Sequence, residues 1–231
     1  MKDAVEKCDG QENVYKIYKM AEKVNDKIIY KFFKRVIDVL FSSLGLILLL
    51  PVFLVVSIMI KMDSKGKVFF LQKRIGITGK LFRLYKFRTM YVNADKELRR
   101  ILENDEEARK EYKKNKKLKN DPRITKVGNI IRRLSIDELP QLINILKGEM
   151  TLIGPRPYLY REKKDMGEYY EKIISVKPGL TGLWQVSGRS DISFNTRLKL
   201  DKEYIENQSI KNDIKIFFKT FGVILKKEGA K

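Results

Sequence analysis

Residues 39–60 read VLFSSLGLILLLPVFLVVSIMI, an uncharged run in a chain whose residues are 34% charged. Lys31, Lys34 and Arg35 precede it, and Lys61, Lys65 and Lys67 follow it. A helix of about 20 apolar residues crosses the hydrocarbon of a bilayer, so length alone allows a span. Pro51 falls near the middle, however, and both flanks are basic. The positive-inside rule gives such a segment no direction, but it is satisfied when both ends stay on one side. At about 1.5 Å per residue each half reaches roughly 14–18 Å, half a bilayer. The pattern predicts a re-entrant helix–break–helix, kinked at Pro51, that enters one leaflet and returns. A single kinked span is the alternative, because prolines do occur in spanning helices. A secretory signal is not expected, since about 38 polar or mixed residues come first and no small-residue cleavage site follows.

Composition narrows the chemistry. The 231 residues include 49 basic and 29 acidic side chains, a net charge of +20, and no histidine. Histidine acid–base catalysis and histidine metal sites are thereby excluded. The single cysteine, Cys8, excludes an intramolecular disulfide and a cysteine-cluster zinc site. A metal here would need oxygen ligands, which favours magnesium or manganese. The basic excess calls for an anionic partner: nucleic acid, an anionic membrane or a phosphorylated substrate. No RNP, helix-turn-helix or zinc signature is legible, so nucleic acid is not the expected partner.

Beyond the apolar run, Val68 to Met90 reads as two strands joined by a Gly76-Ile77-Thr78-Gly79 turn. Lys86, Arg88 and Arg83 either line one face there, offering charge to a phosphate, or form a solvated strand face. Asp95 to Lys119 is charge-dense and reads as an exposed helix and loop, and Asn120-Asp121-Pro122-Arg123 is a turn signal. A basic helix from Lys126 to Leu134 follows. Pro178 to Arg189 is glycine-rich and carries the lone tryptophan, Trp184. It reads as a phosphate loop, a buried turn around Trp184 or an interfacial anchor. Asp191–Glu206 and Ile210–Lys227 read as helices; the stripe Ile210, Ile214, Phe217, Phe218, Phe221 and Ile224 is expected in the core rather than on a membrane. Asp38, at the edge of the apolar run, is expected to pair with a nearby base or to sit at the interface.

The chemistry concentrates in Arg132-Arg133-Leu134-Ser135-Ile136-Asp137-Glu138-Leu139-Pro140-Gln141-Leu142, closely followed by Gly154-Pro155-Arg156-Pro157. Ser135 or Asp137 is expected to cap a helix through Leu139, Leu142, Ile143 and Leu146 that ends at Lys147-Gly148. Pro140 suits its first turn. The two acids then lie beside free backbone N–H groups, a place that suits phosphate. Adjacent helical residues point about 100° apart, so the acids suit two jobs, one attacking and one holding a metal. Helix capping is the plain alternative, because Ser135-x-x-Glu138 is a capping box. An Arg133–Asp137 ion pair, four residues apart, is a further structural reading.

Lys34-Arg35-x-x-Asp38, Tyr85-Lys86-Phe87-Arg88-Thr89-Met90, Asp121-Pro122-Arg123-Ile124-Thr125, Ser135 to Leu142, Gly154-Pro155-Arg156-Pro157 and Pro178-Gly179-Leu180-Thr181-Gly182 occur in that order. Together they resemble the bacterial sugar transferase family, the monotopic phosphoglycosyl transferases that prime glycan assembly. The likeness runs from about Lys34 to the C-terminus. Some larger members carry four N-terminal spanning helices; this chain looks like a minimal form with the re-entrant segment alone. The resemblance implies a polar segment 1–33, a re-entrant hairpin 34–62 and a cytoplasmic catalytic domain 63–231. That domain is expected to be α/β of the α+β kind, mostly helical with a small sheet, seated on the anionic inner leaflet of the bacterial cytoplasmic membrane. It also implies transfer of a sugar-1-phosphate from a UDP-sugar to polyprenyl phosphate, with Mg²⁺, in exopolysaccharide or capsule assembly. Asp137 would attack phosphorus and release UMP, leaving a phosphosugar on the enzyme, and Glu138 would ligate Mg²⁺. Arg156, between two prolines of restricted φ, would fork onto phosphate oxygens. Arg132, Lys86 and Arg88 would complete the anionic cradle. Glucose or galactose is the expected sugar, and a homodimer the expected assembly. The competing class is a membrane-tethered basic module that binds anionic lipid or nucleic acid. A second enzymatic alternative is direct transfer in a ternary complex.

Overall fold

A computed structural model describes residues 28–115, 118, 120–188 and 192–225. The polar N-terminal segment up to residue 27, Arg189, Asp191 and the end of the last helix lie outside the described residues. The chain divides into two compact units, Met1–Ile37 and Asp38–Lys231. The described part of the first, residues 28–37, is helical. Among the described residues the fold is mostly helical with a small two-stranded hairpin sheet, as the sequence predicts, and a second two-stranded sheet that it does not predict.

Helices α1 (Ile28–Leu48) and α2 (Leu50–Asp63) are bent by 59° where they meet. Among the described residues no single helix is long and apolar enough to cross a membrane, and only the bent pair together meets that length and composition. The break falls at Leu49, where ψ is 0°, rather than at Pro51, which occupies the first turn of α2. The reason is steric. A proline ring clashes with the carbonyl four residues back, so the chain departs from helix before the proline and restarts with it where an N–H has no partner to lose. One face of the pair is bare, with Ile47 71% and Leu54 64% exposed, while Val56 and Ile60 are buried. Asp38 is also buried; its Oδ1 accepts from Thr151 Oγ1 at 3.0 Å and Leu152 N–H at 2.8 Å.

Strands β1 (Phe69–Ile75) and β2 (Leu81–Phe87) form the expected antiparallel hairpin, with Lys73 opposite Arg83 and Phe69 opposite Phe87. Thr78 in the connecting turn takes a left-handed φ of 57°. Helices α3 (Ala94–Asn104) and α4 (Glu106–Asn115) form the charge-dense segment. Helix α5 (Lys126–Arg133) starts at Thr125, whose hydroxyl accepts from Gly128 N–H at 2.9 Å. A 3-10 segment, Ile136–Gln141, leads into α6 (Leu142–Leu146), and β3 (Thr151–Ile153) follows. Phe82 and Leu84 pack on Leu142, Ile145 and Met150, while Phe87 packs on Val56, Ile60 and Ile131. Strand β2 is therefore held between the helices on its two sides, which fixes Lys86 in place.

After α7 (Lys163–Met166) and α8 (Tyr170–Ile174), β4 (Gly179–Thr181) pairs parallel with β3. The glycine-rich stretch is thus a structural turn. A Cβ on Gly154 would meet Gly179 N at 2.8 Å, so the two backbones approach only because both residues are glycine. Gly154 N–H donates to Thr181 O and Gly179 N–H to Pro155 O, each at 2.8 Å. Helix α9 (Leu183–Val186) carries the buried Trp184. Ser193 caps α10 (Phe194–Glu206), and α11 (Ile210–Leu225) ends the described chain. The apolar stripe of α11 is not core: Ile214, Phe218 and Phe221 are all at least half exposed, and the buried position is Ile216, with Phe217 stacked edge-on against Phe41. Ile216 and Phe217 pack on Ile153, Leu183 and Val186, and the rest of the described stripe stays exposed.

Candidate active site

Asp137 and Glu138 lie on the 3-10 segment, not in an α-helix, with Pro140 inside it. Ser135 enters at φ 57°, left-handed, and its side chain makes no cap hydrogen bond, so the capping-box reading fails. That entry turns the chain sharply after α5. The acids meet Lys86 instead: its Nζ lies 2.6 Å from Glu138 Oε1 and 3.6 Å from Asp137 Oδ2. Asp137, rather than pairing with Arg133, has Lys86 as its ion-pair partner among the described residues, and Arg133 is exposed.

The two carboxyl groups are driven apart in acidity. Burial pushes Asp137 up to about 6, with Lys86 and Arg132 opposing and Glu138 adding to the rise. Desolvation by the surrounding protein acts the same way on Glu138, although its side chain is partly open to solvent, but Lys86, then Arg156 and Arg74, outweigh it and hold Glu138 below the usual range. Divergent neighbours of this kind mark separate roles. Glu138 remains an anion suited to a cation; Asp137 is a more basic, less solvated carboxylate suited to attack. No group of three or more acidic or cysteine side chains placed to hold a metal ion is present among the described residues. The donor set fits Mg²⁺, which is typically bound through one or two carboxylates plus substrate phosphate and water.

Arg132 is fixed by its neighbour in the hairpin: Nε donates to Thr89 Oγ1 at 2.8 Å. Thr89 also accepts Thr125 N–H on its carbonyl, and Asp121 grips Arg123 through three hydrogen bonds, so the Asp-Pro-Arg-Ile-Thr motif orients α5. Arg156 presents its guanidinium over the Trp184 ring, 5.4 Å from the centroid, and acts electrostatically on Glu138. Its turn is held from three directions. Gly179 N–H donates to Pro155 O, Arg156 N–H donates to Asp201 Oδ2 at 3.1 Å, and Arg74 Nη1 donates to Pro157 O at 2.9 Å.

Arg88 is placed elsewhere. Its guanidinium donates to Lys65 O, to Ser64 O at 2.7 Å and to Ile60 O at 3.4 Å, closing the C-terminal end of α2. Ile60 O also accepts Ser64 N–H at 3.2 Å, whereas Ser64 O and Lys65 O lie just past the helix end, where a buried cation satisfies them. Arg88→Ala is therefore expected to lower stability by about 1–3 kcal/mol, the usual cost of orphaning buried acceptors. Thermal melting checks this; an unchanged melt with weakened donor binding would return Arg88 to the phosphate cradle.

Sequence reasoning missed Arg74, Asn144, Asp201 and Arg197. Asn144 is fully buried, donates to Arg83 O and Glu149, and accepts from Tyr85 N–H, acting as an extra strand partner for β2. Asp201 is buried in α10, accepts from Tyr158 Oη at 2.8 Å, and burial pushes it up to about 7. Nothing local in the sequence marks these residues, because their partners lie far along the chain.

A lysine-bridged pair of divergent carboxylates, faced by fixed arginines, has the chemistry that suits phosphoryl groups better than neutral ligands. The chain belongs to the bacterial sugar transferase family, whose model matches residues 29–227. It is 45% identical over 200 residues to the undecaprenyl-phosphate galactose phosphotransferase of Salmonella typhimurium, covering 87% of this chain and 42% of that protein. It is 43% identical over 197 residues to the exopolysaccharide production protein ExoY of Sinorhizobium fredii, covering 85% and 87%. Against the UDP-glucose:undecaprenyl-phosphate glucose-1-phosphate transferase of Escherichia coli it is 36% identical over 200 residues, covering 83% and 40%. The chain spans less than half the length of the first of these relatives.

Proposed function

We propose that this protein transfers a sugar-1-phosphate from a UDP-sugar to undecaprenyl phosphate through a phosphosugar carried on Asp137. The observation that carries the reading is the pair Asp137–Glu138 bridged by Lys86, with one carboxyl made more basic and the other less. The names of its relatives supply the substrate class.

In the first half-reaction an oxygen of ionised Asp137 attacks the phosphorus that bears the sugar. The bond to the bridging oxygen breaks, and UMP leaves with its electron pair. Lys86 neutralises the carboxylates, so an anionic donor can approach, and Arg132 and Arg156 take up charge on the phosphate oxygens. Bound at Glu138, Mg²⁺ would spread the charge of the diphosphate. In the second half-reaction a phosphate oxygen of the lipid attacks the same phosphorus, the Asp137–phosphorus bond breaks and the carboxylate returns. An acyl phosphate is reactive enough for this step.

The bent pair α1–α2 is the proposed seat in the inner leaflet, entered and left from the cytoplasmic face. Its bare outer residues and basic flanks support this reading. A lipid phosphate lies at headgroup depth, which is where such a pair would hold the site.

The direct test is a screen of UDP-sugars for UMP release in the presence of undecaprenyl phosphate, beginning with galactose and glucose donors. Turnover with one hexose is expected; no release from any uridine donor would refute the proposal. Because Asp137 sits at about 6, the rate of the first half-reaction is expected to rise about tenfold per pH unit below 6 and to level off above it. Single-turnover rates between pH 5 and 8 check this, and a flat profile contradicts an ionising nucleophile of that acidity.

A further inference from the structure

We infer that Arg156 and Arg197, which flank Trp184, form with Arg74 a second phosphate-binding subsite that adjoins Glu138. The guanidinium carbons of Arg156 and Arg197 lie 5.4 Å and 5.2 Å from the centroid of the Trp184 ring. Arg74, buried on β1, holds the carbonyl of Pro157, the residue after Arg156. Three cations thus meet in a desolvated place, and none forms a salt bridge among the described residues. Burial first, then the like charge of Arg156, lowers both Arg74 and Arg197.

Of the neighbouring acids, Glu162 accepts Leu159 N–H at 2.7 Å, and Asp201 accepts Arg156 N–H and Tyr158 Oη on Oδ2 while its buried Oδ1 has no partner. Meanwhile the buried Nε groups of Arg74 and Arg197 and the indole Nε1 of Trp184 have no hydrogen-bond partner. Three guanidinium groups with unused donors, only partly offset by Glu162 and Asp201, are the chemistry of an anion site, and forked guanidinium groups match phosphate. Arg74 and Arg156 both act on Glu138, so this subsite adjoins the place proposed for the diphosphate. The ligand is a phosphate monoester: either the nucleoside monophosphate end of the donor or the phosphate of the lipid acceptor. Only the choice between these two rests on the transferase reading; the anion site itself does not.

Trp184 is the single tryptophan, so its emission reports on this place alone. The experiment titrates the purified protein in detergent with UMP, uridine, inorganic phosphate and farnesyl phosphate, following that emission. A saturable change with UMP and none with uridine is expected. Arg197→Gln should weaken UMP binding about tenfold, and Arg197→Lys, which keeps charge but loses the fork, should weaken it less. Circular dichroism melts identify any variant that fails to fold, and the milder Arg197→Lys then carries the comparison. A response to UMP assigns the nucleotide end, and a response to farnesyl phosphate alone assigns the acceptor; both support the subsite. Silence of Trp184 to every phosphate, or wild-type affinity in folded Arg197 variants, would overturn it. Because binding is read without turnover, that failure is distinct from failure to release UMP in the donor screen.

Discussion

Asp137→Asn is expected to abolish the phosphosugar adduct and to lower turnover by at least about 10³-fold, the scale of losing a covalent nucleophile. The amide keeps the shape of the side chain, and Lys86 still has Glu138 at 2.6 Å, so the fold around the pair is retained. What is lost is the anion that attacks. Stability should move the other way. The carboxyl of Asp137 ionises at about 6 in the fold against 3.8 ordinarily. The fold therefore prefers its neutral form: its contribution is complete below about 3.8 and is lost as pH rises through about 6. At pH 7 the asparagine variant should be at least as stable as the parent. Adduct formation followed by intact mass, together with a thermal melt, checks both halves; a labelled adduct that survives in the variant counts against Asp137.

Glu138→Gln carries the second large effect. Glu138 is held as an anion by Lys86, Arg156 and Arg74, and nearly half of its side chain is open to solvent at 41%. An anion that remains ionised and accessible is the better metal ligand of the two. The amide is expected to slow adduct formation by about 10²–10³-fold, the scale of removing one preorganised electrostatic group. It should also shift the Mg²⁺ titration to higher concentration by at least about tenfold. A slowed variant with an unchanged Mg²⁺ dependence would show that the ion is held elsewhere.

The contrast between these acids was only partly legible in the sequence. The motif itself is local, and so is the basic helix that delivers Arg132. Which carboxyl is the stronger acid depends on Lys86 and Arg74, placed by the hairpin some sixty residues earlier in the chain. Alternation along β2 leaves open whether Lys86 and Arg88 serve a ligand or the fold. Packing decides: Lys86 reaches the carboxylates, while Arg88 is drawn to the open carbonyls of α2. The bent apolar pair was legible from hydropathy and Pro51, with an error of two residues in the break that follows from how proline acts on the turn before it. The glycine-rich segment was ambiguous for a similar reason. Its glycines answer a backbone approach between β3 and β4, a contact that no local pattern reveals. The α11 stripe misled because amphipathicity shows that a face is apolar without showing how much of it a neighbour covers.

The most direct test weighs the intact protein after incubation with a competent UDP-sugar and Mg²⁺, with no lipid added. The account predicts one phosphosugar added per chain, an equal amount of UMP released, and return to the starting mass when undecaprenyl phosphate is supplied. UMP release that waits for the lipid, with the protein never gaining mass, would instead mean direct transfer between two bound substrates.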